Sequence, residues 1–193
     1  MNKHSRFQTA SVFLLGLALL GCSESTNTNT TQGFHFQGRD CLACHNVDLS
    51  TEKHLFIGGS LFKDKNTADV NNLDTLCGGG LIVNFLTDNT NPSSVVYSSK
   101  DFTDSNAKGS NGKGNVFVLK RKNTAVQGDY FVQITDEKGT ELAVSGGTHS
   151  FTNNSYDIAN PTDTLNRYSC NSCHSQNGTT SPLYVKSNVN NCQ

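Results

Sequence analysis

The 193-residue sequence has no tryptophan, three prolines and a single methionine, Met1. Charge is sparse and nearly balanced, 15 Lys+Arg against 16 Asp+Glu, with no extended basic patch. A nucleic-acid-binding surface needs clustered Lys and Arg to neutralise phosphates, so no nucleic-acid partner is expected. The longest apolar run, residues 10–20, is too short to cross a bilayer as a helix, which takes about 20 residues. No 3.6-residue apolar period is evident in the middle of the chain, which argues against a helical bundle. Ser, His and Asp occur, but no G-x-S-x-G spacing accompanies them to suggest a nucleophile elbow.

Cysteine, by contrast, is plentiful: seven residues in an otherwise ordinary composition. Four fall in two copies of one pattern, Cys41-Leu42-Ala43-Cys44-His45 and Cys170-Asn171-Ser172-Cys173-His174. C-x-x-C-H is the pattern of covalent c-type haem attachment, in which two thioethers hold the porphyrin and the adjacent histidine ligates iron. It predicts two c-type haems, bound through Cys41, Cys44, Cys170 and Cys173, with His45 and His174 on the metal. The competing readings are a chance match, a thioredoxin-like dithiol and a zinc site. A dithiol needs no histidine after the second cysteine, and zinc held by two C-x-x-C pairs leaves both histidines unexplained.

The N-terminus predicts export. Lys3 and Arg6 precede the apolar run, and Leu19-Leu20-Gly21-Cys22 closes it, as in a secretory signal. The ending resembles a bacterial lipobox, which implies cleavage before Cys22 and lipidation of that cysteine. Multiple acyl chains anchor stably where one does not. Ser23, rather than Asp, follows the cysteine; by the same resemblance the protein goes to the outer membrane, facing the periplasm or the cell surface. Loss of Lys3 and Arg6 from the 15 basic residues leaves 13, so the mature chain is mildly acidic. Residues 22–33, including SESTNTNTTQ, are too polar to bury a core and read as a flexible tether after the 1–21 signal peptide. Cys77 and Cys192 remain, and in an oxidising compartment they are expected to form a disulfide, with a buried free thiol as the alternative.

Residues 34–152 read as the first haem segment followed by β structure, and residues 153–193 as the second haem segment and tail. Strands are predicted at 54–63, 80–87, 94–98, 115–120, 129–135, 141–145 and 148–152. These runs are rich in Val, Ile, Phe and Tyr and are separated by Gly, Asn and Asp clusters. The fold class is therefore mainly β: a small antiparallel sandwich, flanked by two coil or short-helix haem-binding segments. The stretch Gly128-Asp129-Tyr130-Phe131-Val132-Gln133-Ile134-Thr135-Asp136, with Gly139 after it, resembles the G-x-Y-x-V-x-I-x-D-x-x-G strand and turn of transthyretin-like and carboxypeptidase-regulatory-like domains. That resemblance implies an Ig-like or transthyretin-like sandwich and no particular chemistry. The signal and the two motifs resemble small exported multihaem c-type cytochromes. The ordinary single-haem cytochrome c fold is helical, and this chain departs from it.

Candidates for the sixth iron ligand follow by elimination. Met1 leaves with the signal, so His/Met ligation is not available from this chain. His4 leaves too, and His35, His54 and His149 remain for two irons, which favours bis-histidine ligation. His35 is flanked by Phe34 and Phe36, His149 follows Gly146-Gly147-Thr148, and His54 opens a predicted strand. Arg39 and Arg167 lie just upstream of the motifs, where they can pair with haem propionates.

Four functions compete: an electron carrier, a peroxidase-like haem enzyme, a gas or redox sensor with one five-coordinate haem, and a subunit of a multihaem surface conduit or filament. Saturated haems and spare histidines favour the carrier, with redox proteins as partners, a lipid anchor in the membrane and assembly with other multihaem cytochromes as a further option. The anchor is tested directly: Cys22→Ser is expected to release the protein from membranes or block its processing. Wild-type protein recovered wholly in the soluble periplasmic fraction would refute the anchor.

Overall fold

The strand-forming runs all become strands in the computed structural model, which describes residues 38–70, 72–101, 114–120, 126–152, 155–176, 178–186 and 192. Cys22, His35, the signal and the tether lie outside the described residues. The strands are β1 (Leu55–Phe62), β2 (Ile82–Leu86), β3 (Val95–Ser98), β4 (Asn115–Leu119), β5 (Gly128–Thr135), β6 (Glu141–Val144) and β7 (His149–Phe151). An eighth, β8 (Leu183–Tyr184), was not expected. The protein is mainly β, with two sheets around one core, as a small sandwich requires.

One sheet has the order β4-β1-β8 and the other β3-β2-β5-β6, with β7 also paired to β5. Every pairing is antiparallel except β1 with β8. The length of β5 explains its two partners on one edge: its last residues pair with β6 and its first with β7, at Tyr130↔His149. Between β5 and β6 the quoted D-x-x-G forms a tight turn. Asp136 Oδ1 accepts from the amides of Lys138 (2.9 Å) and Thr140 (2.7 Å), and Gly139 takes a φ of 85° that L side chains rarely adopt.

β1 and β2 are the innermost strands, buried almost throughout. A strand covered on both faces reads as a continuous apolar run rather than an alternating one, and LFIGGSLF and IVNFL both do. Ile57 and Leu61 of β1, Val116 and Val118 of β4, Val83 and Phe85 of β2, Ile134 of β5 and Leu142 of β6 form one apolar cluster. Aromatic rings join the layers. Phe85 meets Phe151 edge-on at 5.2 Å, and Phe56 lies 5.3 Å from Tyr168, two residues before the second motif. Such pairs contribute about 0.5–1.5 kcal/mol each beyond their buried area.

Cys77 and Cys192 form the expected disulfide, with Cα atoms 4.8 Å apart and a sequence separation of 115. Cys77 is fully buried, and its amide bonds to Leu61 O of β1 (3.0 Å), so the bridge fastens the C-terminal tail to the central strand. A cross-link over so long a loop restricts the unfolded chain by roughly 4–5 kcal/mol in the chain-entropy model. Cys192→Ser is expected to lower unfolding stability by several kcal/mol, up to about that amount, in denaturant titration. An unchanged midpoint would show that the bridge contributes nothing.

Candidate cofactor site

Each C-x-x-C-H motif forms a single helical turn, α1 (Cys41–His45) and α2 (Cys170–Cys173). Turns this short are not stable alone and depend on what they pack against. Both pack against β1. A Cβ at Gly58 would stand 3.0 Å from Cys41 Cβ, and one at Gly59 would stand 2.6 Å from Cys170 Cβ. The adjacent glycines are thus what lets both motifs seat on one strand, in keeping with the use of strand glycine where another segment approaches closely.

A hydrogen-bond clamp then ties the motifs to each other. Asp40 caps α1, its Oδ1 accepting from the amides of Leu42 (3.0 Å) and Ala43 (3.3 Å). The same oxygen accepts from Ser169 Oγ (2.6 Å), while Oδ2 accepts from Ser172 Oγ (2.8 Å) and the Tyr156 hydroxyl (2.5 Å). Asn171, buried, donates to Arg39 O (2.7 Å) and accepts from the Ser60 amide (3.0 Å), and its Nδ2 lies 3.8 Å from Cys41 Sγ. Both middle residues of Cys170-Asn171-Ser172-Cys173 therefore hold the segment that begins the first motif. Sequence reading missed Asp40, Ser169, Asn171, Ser172 and Tyr156. The available signal was Gly58-Gly59 in the middle of a predicted strand.

The two motif histidines have matching surroundings. His45 Nδ1 lies 2.8 Å from Lys53 O, and His174 Nδ1 lies 3.0 Å from Ser181 O, with Thr180 Oγ1 at 2.9 Å. A carbonyl only accepts, so each bond puts the imidazole proton on Nδ1 and the lone pair on Nε2. Metal-ligating histidines commonly carry this outer hydrogen bond, which fixes the ring and raises its basicity. Burial lowers the pKa of both rings, which favours the neutral imidazole, the form that ligates metal.

The cysteines do not resemble a reactive dithiol. Burial, with smaller contributions from the Asp40 charge at Cys41 and from the other cysteines at Cys170, pushes both thiols up to about 12. Redox-active C-x-x-C cysteines need a lowered value. A thioether carries no charge and suits the same environment. Cys44 is disulfide-bonded, and that bond must be reduced before a thioether can form there. Among the described residues no three His, Cys, Asp or Glu side chains gather as a metal cage.

The candidate distal histidines separate. The ring of His54 bonds through Nε2 to Leu49 O (3.1 Å), and its preceding carbonyl, Lys53 O, is the one that holds His45. His54 thus sits on the Nδ1 side of His45, away from the lone pair. His149 lies beside the second motif, where burial first and then the charges of His174 and Arg167 lower its pKa. Arg167 bonds to Thr162 O (3.2 Å) and approaches Cys173 Sγ (3.3 Å). A shallow cleft on the five-stranded sheet, lined in part by Asn84, Gln133 and Glu141, holds polar groups that bond one another: Asn84 Nδ2 donates to Gln133 Oε1 (3.0 Å), and Gln133 Nε2 to Glu141 Oε2 (2.6 Å).

Compared with known proteins, the chain matches no family model, no curated protein and no solved structure. Its chemistry must be argued from its own residues.

Tyr156 gives a test of the clamp. Burial, then its hydrogen bond to Asp40 and the Asp40 charge, raise its pKa above the usual tyrosine value. The contribution is therefore complete below about pH 10, the ordinary tyrosine pKa, and declines as pH rises beyond it. Tyr156→Phe is expected to cost about 1 kcal/mol at pH 7, allowing for its partial exposure, with the gap from wild type narrowing above about pH 10. A constant gap, or none, in denaturant titrations across that range would remove Tyr156 from the clamp.

Proposed function

We propose that this chain is a di-haem c-type cytochrome lipoprotein that transfers electrons at the outer membrane or cell surface. The observation that carries the reading is the duplicated outer hydrogen bond: both C-x-x-C-H histidines direct Nδ1 at a backbone carbonyl, leaving the lone pair on Nε2. A chance match or a dithiol requires no such bond at either histidine.

In this reading Cys41 and Cys44 hold one haem and Cys170 and Cys173 the other, with His45 and His174 on iron. The haem, when bound, supplies reversible one-electron chemistry. The chain supplies orientation and electrostatics. Lys53 O and Ser181 O keep the two imidazoles in one tautomer, and burial keeps them neutral. Gly58, Gly59 and the Asp40 clamp hold the motifs against a single strand, so two groups attached there would lie near each other. A pair of close redox centres suits a carrier that accepts from one protein and donates to another.

Denaturing electrophoresis followed by peroxidase-type haem staining is expected to retain colour, and Cys170→Ala with Cys173→Ala to halve the haem per chain. Colour lost entirely on acid-acetone extraction would end the cytochrome reading.

A further inference from the structure

We propose that the cleft on the five-stranded sheet binds a neutral monosaccharide unit through Asn84, Ser98 and Thr135. The proposal goes beyond the haem reading and does not rest on it.

The cleft lies on the face of that sheet turned away from the core. Side chains alternate along a strand, so Val83, Phe85 and Ile134 in the core put Asn84, Gln133 and Thr135 on the opposite face. Register lines them up: Asn84 stands opposite Gln133 on one neighbouring strand and Ser98 on the other, and Thr135 stands opposite Glu141. The outer face of an antiparallel sheet ordinarily carries its polar groups in water, yet Asn84, Gln133, Thr135 and Ser98 are only 8, 4, 5 and 9 % exposed. Turns wall them in at both ends of the strands. The β2–β3 loop supplies Asn89, whose Nδ2 donates to Ser145 O (3.1 Å), and the Asp136 turn supplies Glu137. The enclosed space is about 580 Å³, within the size range of small-molecule sites.

Hydrogen bonding across the row has a fixed direction. The Glu141 carboxylate only accepts, so the Gln133 atom 2.6 Å from its Oε2 is the Nε2 donor, while Lys186 Nζ holds Oε1. Gln133 therefore turns Oε1 to Asn84, which answers with Nδ2 (3.0 Å). That orientation leaves Asn84 Oδ1 as an acceptor with no donor among the described residues, on a residue more than nine-tenths buried. Ser98 Oγ accepts from the Lys100 amide (3.2 Å) and Thr135 Oγ1 from Asn84 Nδ2 (3.5 Å), so each keeps its hydroxyl proton to donate. Buried polar groups are nearly always satisfied, and one that is not calls for an unseen partner.

The same groups define the ligand. An acceptor flanked by two hydroxyl donors on strands about 5 Å apart matches a ring whose hydroxyls both donate and accept. Charge does not select an ion, because Lys100 and Glu137 line the cleft with opposite signs and the Glu141 carboxylate is already spent on Gln133 and Lys186. Ile82, Pro92 and Val95 supply apolar contact for the C–H groups of a sugar.

The test is nitrogen-15 NMR of the purified full chain, titrated with D-glucose, D-galactose and N-acetyl-D-glucosamine in the millimolar range. At least one sugar is expected to shift the side-chain amide signals of Asn84 and Gln133 along a saturable curve. Asn84→Ala is expected to weaken that sugar roughly three- to tenfold, as loss of one hydrogen bond does. Thr135→Val keeps the shape of the strand if the alanine variant fails to accumulate, and is expected to act in the same direction. No saturable shift with any of the three sugars would overturn the proposal, as would wild-type affinity in the variant that accumulates. Equal shifts from sodium sulfate would mark an anion site at Lys100 and overturn it too.

Discussion

The carboxylate of Asp40 is the point on which the site depends. It receives two amides of α1 and three hydroxyls, from Ser169, Ser172 and Tyr156, so five donors converge on two oxygens. Hydrogen bonds to an ionised acceptor are roughly twice as strong as neutral ones, and a half-buried carboxylate without an Arg or Lys partner among the described residues needs them. Without Asp40, α1 loses its cap and three hydroxyls lose their acceptor together. The motifs would then be joined mainly through Asn171 and the backbone bond from the Gly58 amide to Tyr168 O (3.0 Å).

β1 is the platform that makes the clamp possible. It is central in its sheet, paired to β4 along most of its length and to β8 at its end, and the buried disulfide is bonded to it through the Cys77 amide. Its glycine pair is therefore placed where the backbone is least free to move. A methyl at Gly59 would have to displace Cys170 Cβ, at 2.6 Å, and neither strand nor motif has a flexible side chain there to give way. Glycine weakens a strand through lost packing and backbone entropy, and here the two motifs refill the space the missing side chains leave.

Much of the fold was legible in the sequence because strand signals are local. The seven runs of β-branched and aromatic residues between Gly, Asn and Asp clusters each became a strand, and the Cys77–Cys192 bridge followed once the other cysteines had been given roles. β8 escaped because two residues, Leu183 and Tyr184, carry no period, and their pairing is decided by where α2 returns the chain. The site was legible only in its motifs. Asp40 and Ser172 are 132 residues apart and Asn171 and Ser60 are 111 apart, and no local pattern announces contacts at that range. Imidazole tautomers were equally hidden, since Lys53 and Ser181 act through backbone carbonyls, which every residue possesses.

The two kinds of contact divide the work by range. Each motif carries the carbonyl that orients its own histidine only a short way downstream, eight residues for His45 and seven for His174, so ligand geometry is settled within a local loop. Relative placement of the loops is settled by contacts more than 100 residues apart, through Asp40, Asn171 and β1. Under the di-haem reading this separates two properties that an electron carrier must control. The local loops set the chemistry at each iron, whereas the long-range clamp sets how the centres stand to one another. A substitution in the clamp then changes the coupling of the centres before it changes their ligands, while a substitution at Thr180, which bonds both His174 Nδ1 and Cys173 O, acts on one centre alone.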